Sequence, residues 1–383
     1  MKRLLAILRG ILCVVIFVSL LEICARLDDV LSYGAPFWGA YNNQSLLRVD
    51  ETGKWGKPGA RYEKWQLNSL GYRGPELQPG TERIVCFGAS ETFGLSEAPD
   101  EEYPRQLERD LNKLAGRPAF QVVNAAFPGE TLPTAILRVP EVVSQVHPSY
   151  ALIYPTPANY IEITPQPANA ARPLQRVTLT HLVFEFRIAD RVSNLLKSVL
   201  PKSVQTKLRQ LQIERDNAHV PVMQTLPEKN IERFREDLIA LVDSLREHEV
   251  EPVLVTHATA FGPILTPKDR DLLIEWRKFY PMLEEDGFMD MERRMNQVIR
   301  ETAACEKVYL IDAANKIPPG PEDFADMVHF TTRGAGVMAA DLASGLEPVL
   351  FPQAYRRNLV PLADRSKDPI GCRSSRGLAV SDR

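Results

Sequence analysis

Residues 84–94 read IVCFGASETFG, an apolar, β-branched run that stops at Gly88, with Ser90 two residues later and Thr92 and Gly94 behind it. Such a run predicts a buried parallel strand, and the small residues after it predict a tight strand-to-helix turn. A serine there stands at the carboxyl end of a central strand, where open α/β sheets place their ligands. Taken alone, the same residues also describe an ordinary βα turn in which Ser90 caps a helix.

From residue 83 onward strand and helix patterns alternate. Strands are expected at 84–88, 120–124, 150–154, 252–256 and 308–311. A helix is expected at 104–115, with Pro104 near its start and Gly116 just after its end, the usual asymmetry. Another is expected at 230–248, where Ile231, Phe234, Leu238, Leu241, Val242 and Leu245 fall in helical register. Further helices are read at 289–304 and 332–346. This alternation predicts an α/β domain over 83–350, its five-stranded parallel sheet covered on both faces. Residues 161–227 interrupt the rhythm as an insertion. Ile188, Val192, Leu195, Leu196 and Val199, then Val204, Leu208 and Leu211, recur at helical spacing there. The expectation is a helical lid or substrate wall packed on the domain. Residues 351–383 are basic, poor in apolar periodicity and expected to form a mobile tail.

The N-terminal stretch 1–27 sets Lys2 and Arg3 before an apolar core that Glu22 and Arg26 close. Cations ahead of such a core predict an uncleaved signal anchor, a single-pass helix in the cytoplasmic membrane with the remaining chain on the periplasmic side. Residues 28–82 are rich in Gly, Pro, Tyr and Trp and read as an extended lead-in lying across the domain. They contain the run Asn68-Ser69-Leu70-Gly71-Tyr72-Arg73-Gly74-Pro75, turn formers around a single arginine.

Composition narrows the chemistry. A net charge of −3 over 383 residues offers no footprint for nucleic acid. The five cysteines (Cys13, Cys24, Cys86, Cys305, Cys372) have no metal-ligand spacing and suggest no disulfide framework. No phosphate-binding glycine loop or paired-cysteine motif occurs, so neither a cofactor nor a metal is expected.

A serine hydrolase needs a nucleophile, a base, a group that orients the base, and donors for the oxyanion. Asp326-Met327-Val328-His329 places a carboxylate and an imidazole three residues apart in a loop after the last strand. The second strand runs into Asn124-Ala125-Ala126-Phe127-Pro128-Gly129-Glu130-Thr131. The third runs into Pro155-Thr156-Pro157-Ala158-Asn159-Tyr160. All these segments open on the edge that carries Ser90. A glycine N–H at Gly129 and an amide at Asn159 are suitable oxyanion donors beside the N–H of Ser90. Tyr160 and His257 are candidate pocket residues near the same edge.

In this order the blocks resemble the GDSL/SGNH hydrolase superfamily, whose four markers are Ser, Gly, Asn and His. Gly88-Ala89-Ser90-Glu91-Thr92-Phe93-Gly94 matches the first block and 124–131 the second. Asn159 stands for the third, and Asp326 with His329 for the last. The lead-in 68–75 is similar to the NxxGYRG segment of many anchored bacterial members. The resemblance implies a three-layer α/β/α, flavodoxin-like fold. It implies Ser90 as nucleophile, His329 as base and Asp326 as its orienting partner, with Ser90, Gly129 and Asn159 forming the oxyanion hole. Ala89 departs from the family's usual aspartate, and Pro157-Ala158-Asn159-Tyr160 departs from its G-x-N-D. The function expected is an esterase acting on O-acyl, most plausibly O-acetyl, esters of cell-envelope or exported glycans, with an acylated carbohydrate or lipid as substrate. A polysaccharide O-acetyltransferase, a lipase or thioesterase, and a catalytically silent binding module on the same fold are the alternatives.

Overall fold

The computed structural model describes residues 2–39, 41–50, 53–161, 186–199, 201–216, 221–277 and 279–352. Helix α1 (Lys2–Tyr33) leads into two small antiparallel hairpins, β1 (Leu47–Asp50) with β2 (Gly53–Gly56) and β3 (Arg61–Tyr62) with β4 (Trp65–Gln66). The main sheet follows, built from β5 (Glu82–Gly88), β6 (Phe120–Asn124), β7 (Tyr150–Tyr154), β8 (Glu251–Val255) and β9 (Tyr309–Ile311). Its spatial order is β6-β5-β7-β8-β9 and every pairing is parallel. Strands β6 and β7 are buried along almost their whole length, which is why they read as unbroken apolar runs rather than alternating ones.

Helices α2 (Ser90–Phe93), α3 (Tyr103–Ala115), α4 (Leu132–Val146), α7 (Glu228–Glu247), α9 (Glu285–Cys305) and α10 (Thr332–Leu350) connect and cover the sheet. Helix α3 packs with α10, and α7 packs with both α4 and α9. With right-handed crossovers these two groups fall on opposite faces, giving three α/β/α layers. The chain order reverses between β5 and β7. Such a switch point opens a crevice at the carboxyl ends of the strands.

Several elements differ from the sequence expectation for local reasons. Helix α4 carries Pro140 inside it, and an interior proline, which removes a backbone donor, hides the helix from sequence. Helix α10 likewise runs on through Pro348. The insertion holds two helices, α5 (Arg187–Val199) and α6 (Lys202–Asp216), separated at Pro201. They do not form a cap packed through their apolar faces: Val192, Leu195, Val199, Val204, Leu208 and Leu211 are all exposed. A short helix α8 (Pro267–Trp276) lies beside α6. Cys305 is disulfide-bonded, while Cys13, Cys24 and Cys86 are free. The tail expected at 351–383 lies outside the described residues beyond residue 352.

The lead-in is fixed by more than turn chemistry. Asn68 Oδ1 accepts from the N–H groups of Leu70 and Tyr72, both at 3.0 Å. Tyr72 donates through its hydroxyl to Gln145 at 2.7 Å. The buried Arg73 guanidinium donates to the carbonyls of Phe93 and Gly94 and pairs with Glu102 at 3.1 Å. An arginine that sequence assigned to a loop thus holds the carboxyl end of the helix that begins at Ser90.

Candidate active site

Strand β5 ends at Gly88, where the chain must pass so close to its neighbours that a Cβ would collide with Thr92 Oγ1 and approach the Tyr154 carbonyl at 3.0 Å. Ala89 then caps α2, and Ser90 is its first residue. Gly94, at φ 84°, ends the helix by donating its N–H to Ser90 O at 3.0 Å. Tyr103 donates to Thr92 Oγ1 at 2.9 Å, and Asn124 Nδ2 to the Thr92 carbonyl at 2.8 Å. With Arg73 below, the serine turn is held from three sides.

Ser90 Oγ donates to Glu91 Oε2 at 3.1 Å, an oxygen that also accepts from Thr156 Oγ1 at 3.2 Å. The other carboxylate oxygen of Glu91 faces His257 Nε2 at 3.4 Å. His257 Nδ1 meets Glu292 Oε2 at 2.9 Å, and its ring stacks on Tyr154 with centroids 5.2 Å apart. Asn296 clamps the backbone of His257, accepting its N–H at 2.7 Å and donating to its carbonyl at 2.9 Å. Burial works to lower the His257 pKa, but Glu292 and Glu91 outweigh it and raise it to about 10. At neutral pH His257 is therefore a buried cation between two carboxylates. Burial would raise the Glu91 pKa, yet the hydrogen bond and charge of His257, with that of His329, hold it below the usual carboxylate value.

The loop after β9 is pinned by Ala260 N–H donating to the Met327 carbonyl at 2.9 Å and Thr331 N–H to that of Asp323 at 2.9 Å. Asp326 Oδ1 accepts from the N–H groups of Val328 and His329 at 3.0 and 2.9 Å, and Oδ2 lies 2.7 Å from His329 Nδ1. The pair is a self-contained unit: the carboxylate is locked by the same backbone that carries the ring. His329 Nε2 is buried and has no hydrogen-bond partner among the described residues. Burial pulls the His329 pKa down. The Asp326 hydrogen bond and the charges of Glu91, Asp326 and Glu97 prevail and raise it above the ordinary value. Asp326 is correspondingly lowered, its burial outweighed by His329 and the two backbone donors.

Gly129 sits at φ 72°, a left-handed turn after β6. Asn159 lies in the 3-10 turn Pro157–Tyr160 after β7 and donates Nδ2 to the Glu130 carbonyl at 2.7 Å, which ties the second and third strand ends together. One hydrogen of that amide is thereby engaged, and the group carries a second. Glu130 is itself in a buried ion pair with Arg138, whose guanidinium covers the Phe127 ring at 4.6 Å.

A pocket opens at the switch point between β5 and β7. Its walls include Ala89, Thr131, Leu132, Tyr154, Thr156 and Asn159, with Tyr160 also lining it, and Ser90 adjoins it through Ala89. Ser90, Gly129, Asn159, Asp326 and His329 all follow carboxyl ends of strands in this one parallel sheet. His257 is placed behind Glu91, and neither it nor Ser90, Gly129, Asp326 or His329 is among the residues lining this pocket. The residues that sequence reasoning passed over are Glu91, Thr156, Glu292 and Asn296. Glu292 and Asn296, four apart, share one face of α9, a signal visible in sequence; that this face meets His257 is a tertiary fact.

No family model matches the chain, and no curated protein matches it. Solved structures are similar to it. A lipase/acylhydrolase from Enterococcus faecalis aligns over 70% of this chain and 97% of its own, at 16% identity and a TM-score of 0.42. A GDSL-like lipase from Bacteroides thetaiotaomicron covers 70% and 89%, at 14% identity and a TM-score of 0.38. An acetyl xylan esterase, AlAXEase, covers 69% and 99%, at 14% identity and a TM-score of 0.39. None of these likenesses carries a residue role across to this chain.

Proposed function

We propose that the chain is a serine-dependent ester hydrolase. The observation that carries the reading is the Asp326–His329 pair, whose buried Nε2 has no partner among the described residues, on the same sheet edge as a serine at the start of the helix after β5. In the proposed reaction Ser90 Oγ turns from Glu91 to His329 Nε2. It gives up its proton there as it bonds to the ester carbonyl carbon. The carbonyl oxygen takes the negative charge, facing the N–H groups of Ser90 and Gly129 and the Asn159 amide. The imidazolium, favoured by Asp326 and Glu91, returns the proton to the leaving alcohol as the C–O bond breaks. Water, deprotonated by His329, then releases the acid and regenerates Ser90.

The pocket between β5 and β7, lined by Thr131, Leu132 and Thr156 and adjoining Ser90 through Ala89, is the candidate acyl site, and acetyl is the acyl group we favour for it. Helix α1 includes a stretch, Ile7–Tyr33, long and apolar enough to cross a membrane. With Lys2 and Arg3 ahead of it, this supports a single-pass anchor with the sheet domain on the periplasmic side. An O-acetylated envelope or exported glycan is the substrate class that location brings within reach. One observation favours a silent binding module instead: Ser90 is engaged by Glu91 rather than by His329. A fluorophosphonate probe separates the two. The full chain should label at Ser90 and hydrolyse an aryl acetate, and both should vanish in Ser90→Ala and His329→Ala. Turnover that survives Ser90→Ala would sink the hydrolase.

A further inference from the structure

Helices α5 and α6 are tied to the rest of the molecule at their outer ends, and their apolar faces point into solvent. The start of α5 is held on α1. Glu22 accepts from the backbone N–H groups of Arg187 and Ile188 at 3.2 and 3.0 Å, capping the helix. The buried Arg187 pairs with Asp29 at 3.2 Å and donates to the Pro36 carbonyl. Arg191 reaches Asp28 and Asp29 at 2.8 and 2.7 Å. These contacts fall where Glu22, Arg26, Asp28 and Asp29 enter the apolar run of α1, interleaved with the exposed Ile23, Leu27 and Leu31, a mixed charged and apolar stretch suited to the level at which a spanning helix leaves the hydrocarbon. At its far end α6 buries Ile213 and packs beside α8.

Between these ties, Val192, Leu195 and Val199 follow one another at helical spacing on α5, each 46% exposed or more. Val204, Leu208 and Leu211 do the same on α6, each at least 41% exposed. Scattered exposed side chains are ordinary, but two successive helices with same-face stripes are not. Residues 187–216 also hold seven Lys or Arg against three Asp or Glu. Exposed valines and leucines on one face, with basic residues through the rest, are what a helix lying in a headgroup layer requires.

We propose that α5 and α6 lie on the lipid surface, their apolar stripes sunk into the headgroup–acyl boundary beside the exit of α1. The inference rests on the reading of α1 as a membrane anchor. Continuity with that anchor selects lipid over a protein occupant, because the clamp at Glu22–Asp29 starts α5 at headgroup level. A second tether would hold the sheet edge at a set height and orientation, facing substrates presented next to the membrane.

The test places the photo-crosslinking residue p-benzoylphenylalanine at Leu195, Leu208 or Phe17 of the full chain, reconstituted in phosphatidylcholine–phosphatidylglycerol vesicles. On irradiation, Leu195 and Leu208 variants should gain the mass of one phospholipid, as Phe17 in α1 does. Lipid adducts at Phe17 alone would overturn this inference and leave the anchor standing. A species of doubled mass at Leu195 or Leu208 would assign the stripe to a second copy. Crosslinks from those positions to the chain's own sheet domain would restore the packed cap. No lipid adduct even at Phe17 would remove the anchor and this proposal together.

Discussion

His257→Ala tests the buried network behind the serine. In the wild type a cationic imidazole lies between Glu91 and Glu292 and offsets part of their charge, and all three side chains are almost wholly buried. Its removal leaves two carboxylates facing each other across a cavity, and breaking a buried pair this way costs about 3–5 kcal/mol. Titration gives a second route to the magnitude. A folded pKa of about 10 against an ordinary value of 6.5 corresponds to on the order of 5 kcal/mol at most. The sign follows from the direction of the shift. Because the folded pKa is raised, the stabilisation is fully present below about pH 6.5 and is lost as pH climbs through about 10. Domains are stable by roughly 5–15 kcal/mol, so the variant should remain folded but be severely weakened. Urea unfolding of the detergent-solubilised full chain, followed by tryptophan fluorescence, measures the loss at neutral pH. The gap between wild type and variant should narrow toward about pH 10. A loss below about 1 kcal/mol, within the range of a single neutral hydrogen bond, would refute the cationic bridge. So would a gap that ignores pH.

Other expectations follow from the same geometry. Since His329 must be neutral to take the Ser90 proton and its pKa is raised, hydrolysis should rise with pH through a midpoint above about 6.5. Asp326→Asn should move that midpoint down and cut kcat by about 10⁴; a midpoint that stays put would deny Asp326 its orienting role. Asn159→Ala should lower kcat by roughly 10²–10³ with a smaller effect on KM, as loss of an oxyanion donor does. Steady-state kinetics on an aryl acetate decides it. Gly88→Ala should displace Thr92 and with it the serine turn, abolishing fluorophosphonate labelling while circular dichroism still reports a folded chain. Arg138→Met removes the buried guanidinium that pairs with Glu130 beside the Asn159 contact and should cost about 3–5 kcal/mol in urea unfolding.

Much of the layout was legible in the sequence because the signals were local. The five parallel strands announce themselves as short β-branched runs, and 120–124 and 150–154 match the observed bounds to the residue. Ser90, Gly129, Asn159 and the Asp326–His329 loop follow strand ends, and parallel strands necessarily bring those ends to one edge. The capped, self-locking Asp326–His329 unit is also local, since three residues suffice to fold the carboxylate back onto the ring. Proline hid helix α4, and nothing local distinguishes a helix stripe that packs on protein from one left facing outward on α5 and α6.

What tertiary structure alone decided concerns charge in the interior. Glu91, His257 and Glu292 come from three separate elements and are ordinary residues in sequence. Only the packing of α9 against β8 and the turn after β5 places an imidazole between two carboxylates, which hold its proton against the opposing pull of burial. Arg73 is likewise a loop arginine until the lead-in crosses the serine turn and buries it against the carbonyls of Phe93 and Gly94. Sequence periodicity reports which residues leave water; which buried charges find each other depends on distances between elements, and those exist only once the chain has folded.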